Sequence, residues 1–226
     1  MALVTSIAPR PGRRPRLLTN IALTLTGILL MTSCQSSEPA PTGDELFTDA
    51  ERTYIEYRTL VNGVQSVLSS GPWIVGQLGE YGMQPSRCDN GNGYQFSLGR
   101  LLRLDVADRN SNADAIEQHL LDIGMTPGRR TLGEGAKSLI QIEARDQQGL
   151  EQLLIEFGSN GTAVVSATTI CRPGDAYELS NLLFGGVYLS EGYLPIDTES
   201  PTDPLFFGIT PGDPQFVREP SPTPTP

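Results

Sequence analysis

The chain has 226 residues, 38% of them apolar and 7% aromatic, and a formal net charge of −10. That length suits one domain with attached ends, and the apolar content is enough for one small core, which excludes disorder throughout. Arg10, Arg13, Arg14 and Arg16 are the only charged side chains before residue 34, so the remainder carries 12 basic against 26 acidic residues, or −14. A surface of that sign repels phosphate backbones and anionic headgroups, which argues against nucleic acid as a partner and against polybasic adhesion to lipid.

Residues 1–33 have the layout of a secretion signal: an arginine-bearing stretch ending at Arg16, an apolar run from Leu17 to Met31, then small residues and a cysteine. The run is shorter than the roughly 20 apolar residues a spanning helix needs. Arg13-Arg14 suggests a twin-arginine route, but Pro15 and Arg16 follow where that signal has other residues, so the general secretory route fits better. Leu30-Met31-Thr32-Ser33-Cys34 resembles the lipobox of bacterial lipoproteins, in which the cysteine thiol is acylated and the chain is cut before it. The expectation is a palmitate-type lipid anchor on Cys34 that places the protein at the cell membrane, outside the cytoplasm. Two acyl chains, at roughly 0.8 kcal/mol per buried methylene, suffice for stable anchoring.

With Cys34 assigned to lipid, Cys88 and Cys171 remain as a pair in a protein leaving the reducing cytoplasm, and a disulfide between them is the direct inference. It would close a loop of about 84 residues and stabilise the fold by roughly 4 to 5 kcal/mol on chain-entropy grounds. The alternative of zinc finds no second cysteine or histidine beside either residue. The sequence therefore predicts no metal and calls for no cofactor.

Gln35 to Asp44 is polar and proline-containing, a spacer by composition. Thr48-Asp49-Ala50-Glu51 fits a capping box, and Tyr57, Leu60, Val61, Val64 and Leu68 share one helical face, predicting a helix over 49–69. Gly71-Pro72 ends it, and the stretch from Trp73 to Cys88, with Gly76, Gly79, Gly82 and Pro85, reads as an irregular loop. From Tyr94 apolar residues alternate through Phe96 and Leu98 and, after Gly99, through Leu102, Leu104 and Val106, predicting a strand with a bulge. Ser111 to Asp114 cap a helix with Ile116, Leu120 and Ile123 inward, ended by Gly124. Strands follow at Thr131-Leu132 and at Leu139 to Ala144. Leu150, Leu153, Leu154 and Phe157 then match helical spacing, with Gly158 as the stop and Asn160-Gly161 as a turn into a strand from Thr162 to Cys171. The order from residue 94 is β-α-β-β-α-β, which predicts an α+β, ferredoxin-like antiparallel sheet with an extra N-terminal helix and one disulfide. In that fold the first and last strands are antiparallel neighbours, so Cys88, shortly before the one, comes close to Cys171, at the end of the other. The domain scheme is signal peptide 1–33, lipidated tether 34–47, α+β domain 48–174, a weakly periodic extension 175–212, and a Pro-rich, disordered tail 213–226; nine of the 18 prolines lie from Pro195 onward.

The Thr-Ser-Cys34 lipobox, a helix followed by Trp73, the Cys88 and Cys171 pair around an α/β core, and the Pro/Thr-rich end together resemble the LppA-type bacterial lipoproteins. That resemblance implies an anchored envelope protein of unassigned role and carries over Cys34, Cys88 and Cys171 alone; it names no catalytic residue.

Sharper motifs fail on their own chemistry. Asp108, Asn110, Asn112 and Asp114 begin like a calcium loop, but Ala113 stands where a glycine must turn and His119 where a bidentate glutamate must bind. Gly91-Asn92-Gly93 and Gly133-Glu134-Gly135 lack the strand-then-helix setting of a phosphate cradle and read as turns. Asn160-Gly161-Thr162 matches a glycosylation sequon and serves as a turn. His119, the only histidine, has Glu117 and Asp122 near it in sequence and no nucleophile. Glu151 with Glu156 and Asp105 with Asp108 carry no weight as catalytic carboxylate pairs in so acidic a chain. Catalytic residues are thus expected to be none. The leading class is a non-catalytic binding or interaction module with an envelope protein as partner; a small-ligand carrier or sensor, its ligand unknown, comes second, and an envelope hydrolase third. A carrier calls for an apolar pocket between the first helix, the Trp73 loop and the sheet. An interaction module calls for an exposed apolar patch, for which Tyr177, Leu182, Phe184, Tyr188 and Phe206-Phe207 are candidates. Intact mass of protein isolated from its native membrane should equal residues 34–226 plus acyl chains and rise by two hydrogens on reduction, whereas a Cys34→Ala form should carry no lipid.

Overall fold

The computed structural model describes residues 39–75, 81–89, 91–185, 198–205 and 207–208. The signal peptide, Cys34 and the tail 213–226 lie outside the described residues.

Helix α1 spans Gly43–Leu68 and opens at Thr42 in extended backbone, with Asp44 and Glu45 in its first turn, where carboxylates favour the positive end of the helix dipole. It begins upstream of the Thr48 capping box: Thr48 Oγ1 bonds back to the Asp44 carbonyl, as mid-helix threonines do. Leu46, Ala50, Tyr54, Tyr57, Val61 and Val64 form its fully buried stripe, and large apolar side chains in such positions are each worth roughly 1.5–3 kcal/mol. Trp73, Ile74 and Val75 form a short strand, β1, and Tyr81–Arg87 form β2, so the expected loop from Trp73 to Cys88 is largely sheet. The register of β2 shifts between Tyr81 and Pro85, which erased the alternation that would have revealed it.

Strand β3, Tyr94–Arg103, pairs with β7, Thr162–Thr169, along one edge; its other edge is divided between β2, from Leu98 back to Tyr94, and β1, at Arg100 and Leu101. Its alternation runs unbroken, without the expected bulge, because the inward position between Leu98 and Leu102 is taken by Arg100. A short 3₁₀ turn, Val106–Asp108, leads into α2, Arg109–Asp122, which buries Ala113, Ile116 and Leu120. Ile123 stays partly exposed, and Met125 takes the buried place beyond the helix. Strands β4 (Gly128–Leu132), β5 (Leu139–Gln147), β6 (Leu150–Gly158) and β7 then run as consecutive antiparallel neighbours.

The helix expected over 150–158 is therefore strand β6, and the two-helix ferredoxin-like arrangement is not what forms. Leu153, Ile155 and Phe157 point inward with strict alternation, but a register irregularity between Leu150 and Gln152 displaces Leu150, while Leu154 lies on the opposite face. Those four leucine and phenylalanine positions mimic i, i+3, i+4, i+7 by coincidence of a bulge with two-sided apolar character. The result, among the described residues, is a mixed fold of three helices and an eight-stranded antiparallel sheet in the order β4-β5-β6-β7-β3-β1-β8, where β8 is Thr198–Glu199, with β2 also on β3.

Past Cys171 the core continues. Helix α3, Ala176–Phe184, is capped by Asp175, which accepts from Tyr177 N and Glu178 N, and ends at Gly185 in the left-handed region. It buries Leu179, Leu183 and Phe184 in the same cluster as α1 and the sheet. Strand β8, Thr198–Glu199, pairs with β1, and Phe207 packs on Phe47, Tyr54 and Phe96.

Cys88 and Cys171 form a disulfide with Cα atoms 5.7 Å apart. The bridge needed only the first and last strands of the predicted series to be neighbours, which β3 and β7 are. Beside it Tyr94 and Arg172 exchange two backbone hydrogen bonds, of 2.9 and 2.8 Å. Gly93 is required there: a Cβ on it would lie 2.3 Å from the Arg172 carbonyl oxygen.

The alternation in β6 has a direct test in chemical denaturation. Ile155→Ala should cost about 2–4 kcal/mol, whereas Leu154→Ala on the other face should cost about 1 kcal/mol or less; equal losses would contradict the strand.

Candidate functional site

No described helix lies on the sheet face that carries the odd-numbered residues of β3 and β5. The even-numbered residues of both strands face the core, with α1, α2 and α3 in one cluster with them. The cross-strand registers set a row across the open face: Ile74, Leu101 and Val164, then Glu156, Gln141 and Arg130. The first three, with Leu154 in the adjoining row, are apolar, and Ile74 is 47% exposed. The far end of the row belongs to a hydrogen-bonded polar network, with the Leu132 and Leu139 pair next to it at the β4 edge. Arg130 donates to Gln141, which donates to Glu156; Gln152 and Arg145 both donate to Glu143. The bond from Gln152 outweighs slight desolvation and, with Arg145, holds the Glu143 carboxyl below its ordinary range, so this network stays charged but internally paired. Antiparallel sheets with one solvated face place polar residues there; here an apolar strip runs through it, bordered by Ser97, Ser166, Arg103 and Thr162.

The signal for this surface was present as doublets. Leu101-Leu102, Leu153-Leu154 and Val164-Val165 each give one side chain to the core and one to the open face. Of the aromatic patch expected after residue 176, Tyr177 is 64% and Leu182 38% exposed, while Phe184 is buried and Phe207 is partly buried against the core. Tyr188 and Phe206 lie outside the described residues.

The place where a carrier pocket was expected is occupied by side chains. Trp73 is fully buried and donates from Nε1 to the Ser69 carbonyl, at 3.2 Å. Beside it Arg58 and Arg100 converge on one Glu199 oxygen at 2.7 and 2.6 Å. Nothing in the sequence foretold that buried cluster, since Glu199 sits in the segment without periodicity. A cavity of about 340 Å³ opens beside the disulfide, lined by Asp89, Gln95, Asp146, Glu151 and Ile170 as well as both cysteines.

The remaining candidates are dispersed. His119 is in the last turn of α2, facing α1 near Gly63; Glu117 pairs with Arg129, and Asp122 accepts from Gln118. Asp105 caps the 3₁₀ turn, and Asp114 also pairs with Arg129, so the calcium-like stretch is spent on starting α2 and fixing β4. Among the described residues no three His, Cys, Asp or Glu side chains are placed to hold a metal ion, and no helix is long and apolar enough to cross a membrane. No protein family, curated protein or solved structure matches the chain.

One ion pair ties α1 to the bridge region. Asp49 accepts from Arg172 at 3.1 Å and from the Tyr94 hydroxyl at 3.1 Å, with Arg52 alongside. Burial raises the Asp49 pKa, but Arg172, Tyr94 and Arg52 outweigh it, so the net shift is downward from 3.8; burial and the same carboxylate push Tyr94 up to about 12. A carboxyl depressed by folding stabilises fully above its unfolded pKa, and that contribution disappears as pH falls through the folded one. Melting temperature should therefore drop on acidification below about pH 4, and Asp49→Asn should be less stable at neutral pH yet show a shallower acid limb. An unchanged acid limb would mean the pair contributes nothing.

Proposed function

We propose that this protein is an envelope lipoprotein, held to the membrane by acyl chains on Cys34, and that it binds another envelope protein through the open face of its sheet without carrying out chemistry. The observation that carries this reading is an apolar strip on that face, Ile74, Leu101, Val164 and Leu154, continued along the same row by the self-paired polar network of β4 to β6. Protein interfaces join an apolar centre to a hydrogen-bonded rim, and a partner that covers both zones desolvates little unpaired charge. The acidic balance of the chain sets the partner's character: a basic or neutral surface is accepted and a strongly acidic one repelled. The anchor rests on the lipobox-like sequence at Cys34 and on an oxidised cysteine pair, which suits a compartment outside the cytoplasm.

Photo-crosslinking side chains placed in living cells at Leu101 and Val164, with Leu121 on α2 as the control, test the assignment. A discrete adduct of the same mass from both sheet positions and none from Leu121 is expected. No adduct, or the same adducts from all three, would overturn it.

A further inference from the structure

We infer that a second surface, the exposed arc of α3 with Arg87 beside it, rests on the headgroup layer of the lipid bilayer; the inference depends on the Cys34 anchor proposed above. Eight residues, 35 to 42, separate Cys34 from the start of α1. A polypeptide spans no more than about 3.3–3.6 Å per residue, so the first turn of α1 is confined to within roughly 30 Å of the acylated cysteine. That turn is bonded directly to α3: Gly43 N donates to Glu178 Oε1 at 2.7 Å. The surface around the first turn of α3 is thus within reach of lipid when Cys34 is acylated.

The side chains there suit the boundary between water and lipid. Tyr177, next to Glu178, is 64% exposed, and Leu182 on the same helix is 38% exposed. The Arg87 guanidinium stacks 4.9 Å from the centre of the Tyr177 ring. Tyrosine settles at headgroup depth, with an apolar ring and a polar tip, and an arginine over its face supplies donors for lipid phosphate. Two of the acids nearby have partners within the domain, since Asp175 accepts from Tyr177 N and Glu178 N and Glu178 accepts from Gly43 N, and Asp44 and Glu45 stand beside them in the first turn of α1. They still oppose an anionic surface, so a zwitterionic headgroup layer is the surface this arc fits. Because α3 lies in the helical layer, contact there leaves the open sheet face turned away and free for a protein partner.

Full-length protein expressed in a bacterium, purified with its own lipid and reconstituted into phosphatidylcholine vesicles, tests this with tryptophan as the reporter. The only native tryptophan, Trp73, is fully buried, so it contributes a constant background. Tyr177→Trp should lose a large part of its emission when the acyl chains near the headgroups are brominated, and Ile74→Trp on the sheet face should lose little. Intact mass is measured on the same samples. A lipidated protein in which the indole introduced at position 177 is not quenched, or in which the one at position 74 is quenched as strongly, overturns this inference and leaves the anchor standing. An unlipidated mass overturns both.

Discussion

Strand β3 carries the constraint on which the molecule depends. Its inward side chains, Tyr94, Phe96 and Leu98, lie under α1, and one of its edges belongs to β7 along almost its whole length. The other edge is shared by two short strands that could not persist alone: three residues of β1 and the irregular β2. The disulfide and the Tyr94–Arg172 backbone pair clamp the start of β3 to the end of β7. With that pairing fixed, β4 to β7 follow as a meander, α2 returns the chain across the sheet, and α1 has one flat apolar surface to cover. Even the C-terminal residues answer to β3, through Glu199 on its Arg100 and Phe207 on its Phe96.

Where one periodicity ran without interruption, the sequence was sufficient. Helix α1, helix α2 and strands β3, β5 and β7 were legible because each buries one face and leaves the other wet, and the cysteine pairing followed from which strands must be neighbours. The failures have local causes. In β6 a bulge shifted Leu150, and Leu154 supplied a fourth apolar residue on the wrong face, so a strand imitated a helix. In β2 the bulge and Pro85 removed alternation altogether. Helix α3 was announced by Asp175, by Glu178 three residues on, and by Gly185, but its nine residues show the helical spacing for little more than two turns, and Tyr177 and Leu182 add apolar residues to its exposed side. Arg100 illustrates a different limit: an inward arginine can be understood only once Glu199, far along the chain, is placed opposite it.

The candidate surface was half legible. Apolar doublets within strands announce a sheet whose two faces are both hydrophobic somewhere, but not where on the face the second set gathers. That required the register, which alone sets Leu101 beside Val164 and Ile74 beside Leu101. Register also explains why the polar network is quiet. Its carboxylates are satisfied by glutamines on the neighbouring strands and, for Glu143, by Arg145 on its own, so they add specificity at the margin of a contact more than attraction.

The join between α1 and the bridge region has a mechanical meaning. Tension between an anchored N-terminus and a partner gripping the sheet would enter the domain at the first two turns of α1. From there it would pass through Gly43–Glu178 and Asp49–Arg172 into the backbone beside Cys171. At that point the turn between β2 and β3 is joined covalently to Cys171, just past β7. The load path therefore reaches a covalent cross-link soon after it enters the domain.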